Sequence, residues 1–159
     1  MSLYNQISHK AIFKLYSKDI YRYAYSILKD HEDSQDIVQD VFVKFMETSD
    51  SYRGDCSLKT WLIVIARNQC YNLIKSRKVR QGFEKELDTV DFSNTIEDKI
   101  TVEYALKQLN VEENELIFLR EYLGLSYKDI AQLLNITIDN VKVRLFRIKQ
   151  KLRKVLSDE

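Results

Sequence analysis

The chain has 159 residues, a formal net charge of +1, 45% hydrophobic and 31% charged residues, no proline and 3 glycines. That length bounds the chain to one or two small domains, and that balance excludes an intrinsically disordered protein. So few turn-formers exclude a sandwich or barrel of many short strands, which leaves a nearly all-α fold. No run approaches the ~18 consecutive apolar residues of a membrane span. Met1 to Lys10 lacks an apolar core behind a basic start, so no secretory signal is expected. Cys56 and Cys70 read as reduced thiols of a cytoplasmic protein. With two histidines they make no zinc-ligand spacing, and no cofactor is expected.

Charge is segregated along the chain. Residues 1–29 carry a net +4, 30–55 a net −6, 56–80 a net +6, 81–121 a net −7 and 122–159 a net +4. Basic blocks of this size suit a polyanion and acidic blocks suit a basic protein partner, although any one block alone reads as a solvated helix face.

The first predicted helix runs from about Gln6 to Lys29, with Phe13, Tyr16, Ile20, Tyr23, Ala24 and Ile27 as its apolar stripe. A second runs from about Ser34 to Thr48. It presents Ile37, Val38, Val41, Phe42 and Phe45 on one face and Asp36, Gln39, Asp40 and Lys44 on the other. Asp50 to Ser57 is a polar loop around Gly54, and Ser57 caps a third helix. That helix is expected to bury Leu58, Trp61, Leu62, Ile65, Ala66 and Leu73 before entering the basic run Lys75, Arg77, Lys78 and Arg80.

Residues 81–99 hold 6 acidic and 2 basic side chains without a clear apolar period, the composition of a flexible acidic linker. Extended, it would reach about 65 Å. A second helical unit begins near Thr101, with Val102, Ala105, Leu106 and Leu109 on one face. Asn110 and Glu113 have capping-box spacing, and Gly124 closes the helix containing Ile117, Phe118 and Leu119. Ser126 and Asp129 open a short helix with Ile130, Ala131, Leu133 and Leu134 as its apolar side.

A turn at Asn135-Ile136-Thr137 then leads into a long helix with Val141, Leu145, Ile148 and Leu152 inward. Short helix, three-residue turn and longer helix describe a helix-turn-helix, and Asn135 stands where the turn needs a left-handed residue. The long helix would expose Asn140, Lys142, Val143, Arg144, Phe146, Arg147 and Lys149. From Lys142 to Lys154 it carries seven basic residues and no acidic one. Arg and Lys neutralise phosphates or reach guanine edges, Asn reads adenine, and an apolar side chain meets a thymine methyl.

With those residues in view the chain resembles the extracytoplasmic-function class of bacterial sigma factors over nearly its whole length. Tyr21-Arg22-Tyr23-Ala24 with Asp33 to Phe42 resembles the start of that family's region 2. Tyr52-Arg53-Gly54-Asp55, Thr60-Trp61-Leu62 and Ile65-Ala66-Arg67-Asn68 resemble its promoter-opening segment. Gly124 to Tyr127, Asp129-Ile130-Ala131 and Val141 to Leu145 resemble region 4. The resemblance implies region 2 over residues 1–80, a linker over 81–99 and region 4 over 100–159.

It also implies that Asp36, Gln39 and Asp40 bind the clamp helices of the core RNA polymerase β′ subunit. A flipped single-stranded base of the −10 promoter element would be held by Tyr52, Arg53, Gly54, Asp55, Cys56, Ser57, Asn68 and Asn72. Lys75, Arg77 and Lys78 would follow the backbone. The duplex −35 element would be read through Asn140, Lys142, Val143, Arg144, Phe146 and Arg147, with Arg120 on a phosphate and region 4 engaging the β flap. An anti-sigma factor, often membrane-bound, is the further partner implied, and no catalytic residue is. Two features depart from the family pattern. Ile63 and Val64 replace an aromatic and an Arg, and Ile138-Asp139-Asn140 with Val143 replace Gly, Thr and Ser, which implies a different target sequence. The competing reading from the residues alone is a dimeric helix-turn-helix regulator with an N-terminal helical sensor domain. It lacks a heptad seam and leaves the 52–68 segment without a role.

Overall fold

The computed structural model describes residues 8–81 and 96–157, which are helical throughout apart from short connections and contain no strand. The chain divides into two compact units, Met1–Glu86 and Leu87–Glu159.

The first unit is a three-helix bundle of α1 (His9–Leu28), α2 (His31–Thr48) and α3 (Leu58–Gln81), each packed on the other two. Ser8 caps α1, its Oγ accepting the Ala11 N–H at 3.2 Å, so the described helix starts later than the Gln6 expected, which itself lies outside the described residues. Lys29 ends α1 in the left-handed conformation (φ 53°), and Asp30 at once caps α2 by accepting the Asp33 N–H at 2.9 Å. The second helix therefore starts ahead of Ser34. Ser34 is fully buried and donates its hydroxyl to the Asp30 carbonyl at 2.6 Å.

The core of this unit joins Ile20, Tyr23 and Ala24 of α1, Ile37, Val41 and Phe45 of α2, and Leu62, Ile63, Ala66 and Cys70 of α3. Two expectations are corrected. Ile12, not Phe13, fills the start of α1; Phe13 is 45% exposed and lays its edge on Phe42, with ring centroids 4.7 Å apart. On α3, Ile63 and Cys70 are fully buried while Trp61, Ile65 and Leu73 are half-buried. Residues 61–66 are apolar without a break, so periodicity alone does not fix which of them face inward.

The second unit holds α4 (Ile96–Lys107), α5 (Val111–Ile117), a π-helical turn over Phe118–Tyr122, α6 (Tyr127–Leu134) and α7 (Ile138–Ser157). Helix α4 begins at Ile96, ahead of the expected Thr101, so the end of the predicted linker is helical; residues 82–95 lie outside the described residues. α7 is the hub on which α4, α5 and α6 pack. Its Val141, Leu145 and Ile148 are buried, as are Leu116, Leu119 and Ile130 of the same unit, while Val102 of α4 is 45% exposed.

The capping box at α5 is complete. Asn110 Oδ1 accepts the Glu113 N–H at 2.8 Å, and Glu113 Oε2 accepts the Asn110 N–H at 3.0 Å. The same Glu113 carboxylate binds Lys151 of α7 at 3.0 Å. Ser126 caps α6 through the Asp129 N–H at 3.0 Å. Asn135 closes α6 with φ 55° and ψ 48°. Two bonds run back into that helix, from the Ile136 N–H to the Ala131 carbonyl at 3.0 Å and from the Asn135 N–H to the Gln132 carbonyl at 3.3 Å, the paired closure of a Schellman motif. Thr137 then caps α7, accepting the Asn140 N–H at 3.1 Å. The start of α6, the turn and the start of α7 are thus each set by side-chain or backbone bonds.

Candidate nucleic-acid and polymerase interface

On α2 the exposed side opposite the core carries Asp36, Gln39 and Asp40. Val43 (50% exposed) and Met46 (53%) continue that side toward the C-terminal end, four and seven residues from Gln39. Sequence reasoning missed these two. The available signal was that neither falls on the buried stripe of the helix. The result is an acidic face ending in a small apolar patch, the composition that accepts a basic amphipathic surface.

The loop between α2 and α3 is held rather than open. The Tyr52 hydroxyl donates to the Cys56 carbonyl, and its ring lies 5.1 Å from Trp61, which in turn is 5.8 Å from Phe45 of the core. Ser57 Oγ accepts the Thr60 N–H at 3.1 Å and donates to Thr60 Oγ1 at 2.9 Å, which anchors the start of α3. Between these two fixed ends Arg53, Gly54 and Asp55 are exposed. Gly54 has φ +79°, a left-handed conformation that an L side chain adopts only at a cost of about 1–2 kcal/mol. Tyr52 and Ser57 are therefore the frame of the loop, and Arg53 to Asp55 its presented edge. Cys56 is half-buried.

Asn68, Asn72 and Lys75 are exposed on α3 at spacings of four and three, so they form one line along the helix. Lys78 is exposed at the flank of that line. Arg77 is separated from it: its position on the helix turns it to the other side, where its guanidinium pairs with Asp33 of α2. The structure thus ties this residue of the basic run into the bundle.

In the second unit α7 turns Asn140, Lys142, Val143, Arg144, Phe146 and Arg147 outward, as predicted. Val143 is 47% and Phe146 59% exposed, a large apolar exposure at the centre of a basic face. The Asn140 amide oxygen accepts a hydrogen bond from Arg144 Nε at 2.8 Å, so two predicted base-readers are linked to each other. Asp139 stands exposed in the first turn of α7, where its charge favours the helix dipole. Further along, Lys149 pairs with Glu121 at 2.6 Å and Lys151 with Glu113 at 3.0 Å, which fastens the rear of α7 to its own unit. Arg120 lies in the π turn, half-buried. Its Nη1 donates to the Leu125 carbonyl at 2.9 Å, and its guanidinium carbon lies 4.1 Å from the centre of the Tyr127 ring. Among the described residues no group of three or more His, Cys, Asp or Glu side chains could hold a metal ion, and no helix is long and apolar enough to cross a membrane.

Residues 12–80 match the family described as Sigma-70 region 2, and residues 100–152 the family described as Sigma-70, region 4. The RNA polymerase sigma-H factor of Pseudomonas aeruginosa is 30% identical over 144 residues, covering 80% of this chain and 75% of that protein. The ECF RNA polymerase sigma factor SigX of Bacillus subtilis is 26% identical over 156 residues, covering 90% of this chain and 80% of that protein. The chain belongs to the extracytoplasmic-function sigma factors.

Its fold is also similar to that of the sigma factor RpoE in complex with the anti-sigma factor NepR from Bartonella quintana, with a TM-score of 0.74 at 26% identity over 93% of this chain and 96% of that one. Two departures of this sigma factor from its family's pattern take different physical forms. Ile63, one of the pair that the resemblance sets against an aromatic and an Arg, is fully buried and belongs to the core. Val143 is exposed on the recognition helix, so that replacement changes the presented surface itself.

Proposed function

We propose that this sigma factor binds core RNA polymerase, recognises a −10 and a −35 promoter element, and promotes DNA melting for transcription initiation. In this reading residues 1–80 act as region 2, 81–99 as linker and 100–159 as region 4. Asp36, Gln39 and Asp40, extended by Val43 and Met46, dock on the β′ clamp. The loop edge Arg53 to Asp55 with Asn68 and Asn72 receives an unstacked base, and Lys75 and Lys78 accompany the strand. Binding of flipped bases supplies the free energy for strand separation, and the chain contributes no catalysis of its own. Region 4 lays α7 in the major groove and engages the β flap. An anti-sigma factor is a further partner, in keeping with the complex formed by the similar RpoE, and the site of action is the cytoplasm.

The observation that carries the reading is the outward face of α7. Arg144, Arg147 and Lys142 surround exposed Val143 and Phe146 on a helix fixed by the Asn135 turn. Val143 and Phe146 form an apolar patch flanked by cations, and a groove reader uses such a patch against a thymine methyl and the phosphates beside it.

The test adds purified protein to bacterial core RNA polymerase with fragmented genomic DNA and sequences the run-off transcripts. Start sites sharing two upstream elements are expected, with loss of initiation for Asp40→Arg and Asn68→Ala. No protein-dependent initiation, together with duplex binding by the protein as a dimer on paired half-sites, would replace this reading with the dimeric regulator.

A further inference from the structure

Tyr127 has no role in the reading above, yet two cations from different elements converge on its ring. Arg120 comes from the π turn, with its guanidinium carbon 4.1 Å from the ring centre. Lys142 comes from the recognition helix, with its ammonium 5.8 Å from the same centre. Both distances fall within the range of cation–π attraction. Arg120 is fixed at a second point by the Leu125 carbonyl, at 2.9 Å. Tyr127 itself is the first residue of α6, directly after the Ser126 cap, and is half-buried, so its ring has a set place.

Gathering two like charges around one ring opposes folding unless something offsets the repulsion. Elsewhere on α7 the offset is a carboxylate: Glu121 for Lys149 and Glu113 for Lys151. At Tyr127 the ring face supplies part of it, and a bound anion would supply the rest. A flexible Lys confined near a ring loses less rotamer freedom when it meets a phosphate, which favours binding.

We propose that Tyr127 is a positioning residue for duplex recognition: its ring holds Arg120 and Lys142 as a pair of clamps on the DNA phosphate backbone beside the recognition helix. The proposal rests on the reading of the second unit as the −35 binder. It makes the aromatic ring, rather than the hydroxyl, the functional part of the side chain.

The experiment uses the full chain and a fluorescein-labelled random-sequence duplex, with affinity read by anisotropy from about 50 to 200 mM salt. Phosphate contacts are independent of sequence, so the unknown promoter is no obstacle. Arg120→Gln and Lys142→Gln each lower the slope of log affinity against log salt by about 1. Tyr127→Leu weakens binding about threefold or more and also lowers the slope, while Tyr127→Phe stays within about twofold of the parent. Lys142→Gln costs clearly less in the Tyr127→Leu background than in the parent.

Should Tyr127→Leu fail to fold, pentafluorophenylalanine at the same position decides. It keeps the ring's shape and reverses its electrostatic face, so it binds like the Leu variant if the proposal holds. Parent-like affinity and slope for Tyr127→Leu, or for the fluorinated ring, overturn the proposal; so does Tyr127→Phe binding as weakly as Tyr127→Leu. If the unsubstituted chain shows no salt-dependent duplex binding, the −35 reading fails and the proposal with it.

Discussion

Asn135 is the residue whose place in the structure was most legible. A three-residue turn between two amphipathic helices needs one left-handed position, and Asn tolerates it better than any residue but Gly. The observed φ of 55° and the two backbone bonds that close α6 follow from that requirement. Asn135→Gly is therefore expected to leave the melting temperature nearly unchanged, whereas Asn135→Val lowers stability by about 1–2 kcal/mol, measured by thermal unfolding. Asn140 carries a different lesson. Its residue type suggests an adenine reader, but a bond to Arg144 cannot be read from composition. If Asn140 acts by aiming Arg144, Asn140→Ala and Arg144→Ala alter base preference at the same promoter position in a randomised −35 library. Changes at two separate positions would show that Asn140 reads a base of its own. Arg77 is a third case: a basic run predicts solvent-facing cations, while helix geometry sends this member toward Asp33. Arg77→Ala should lower the stability of the chain by about 1 kcal/mol, more than the same change at exposed Lys75.

At the scale of the element, stripes and caps explain what was legible and what was not. On α2 all five expected apolar residues are buried, on α7 Val141, Leu145 and Ile148 are, and on α6 Ile130 and Ala131 are, while Leu133, Leu134 and Leu152 of the expected faces are only half-buried. Helix α3 has six consecutive apolar residues from Trp61 to Ala66, so its phase was set by packing against α1 and α2, which no local pattern encodes. The junction of α1 and α2 escaped notice because Lys29, not a glycine, takes the left-handed position, and Asp30 rather than a residue nearer Ser34 makes the cap. The π turn at Phe118–Tyr122 had no sequence signal at all, although it is what brings Arg120 to the Leu125 carbonyl. The caps lend themselves to measurement. Asn110→Ala removes the acceptor of the α5 capping box and is expected to cost about 1 kcal/mol in thermal unfolding. Glu113→Gln should add to that loss only in part, because the same carboxylate serves both the box and Lys151.

On the scale of the whole molecule, the alternation of charge along the chain acquires a structural meaning. The net −6 of residues 30–55 covers α2, whose outward face is acidic, and the net +6 of residues 56–80 covers α3 and its line of Asn and Lys. One unit thus carries an acidic surface on α2 and a basic one on α3, which under the proposed function meet protein and nucleic acid respectively. The other concentrates its positive charge on α7. Each proposed recognition surface is fixed by partners within its own unit: Tyr52 and Ser57 frame the α2–α3 loop, while Asn135, Glu113 and Glu121 hold α7. In the proposed reading this gives a division of labour, because Asn135, Glu113 and Glu121, which hold α7, all belong to the second unit. Replacing residues 100–159 with the corresponding segment of another extracytoplasmic-function sigma factor is therefore expected to redirect the −35 preference to that of the donor. The −10 preference should stay with Arg53 to Asp55, Asn68 and Asn72. Run-off sequencing of the chimera with core polymerase checks this directly. Start sites whose −10 element also follows the donor would mean that base choice at the two elements is coupled, and that the α2–α3 loop alone does not determine it.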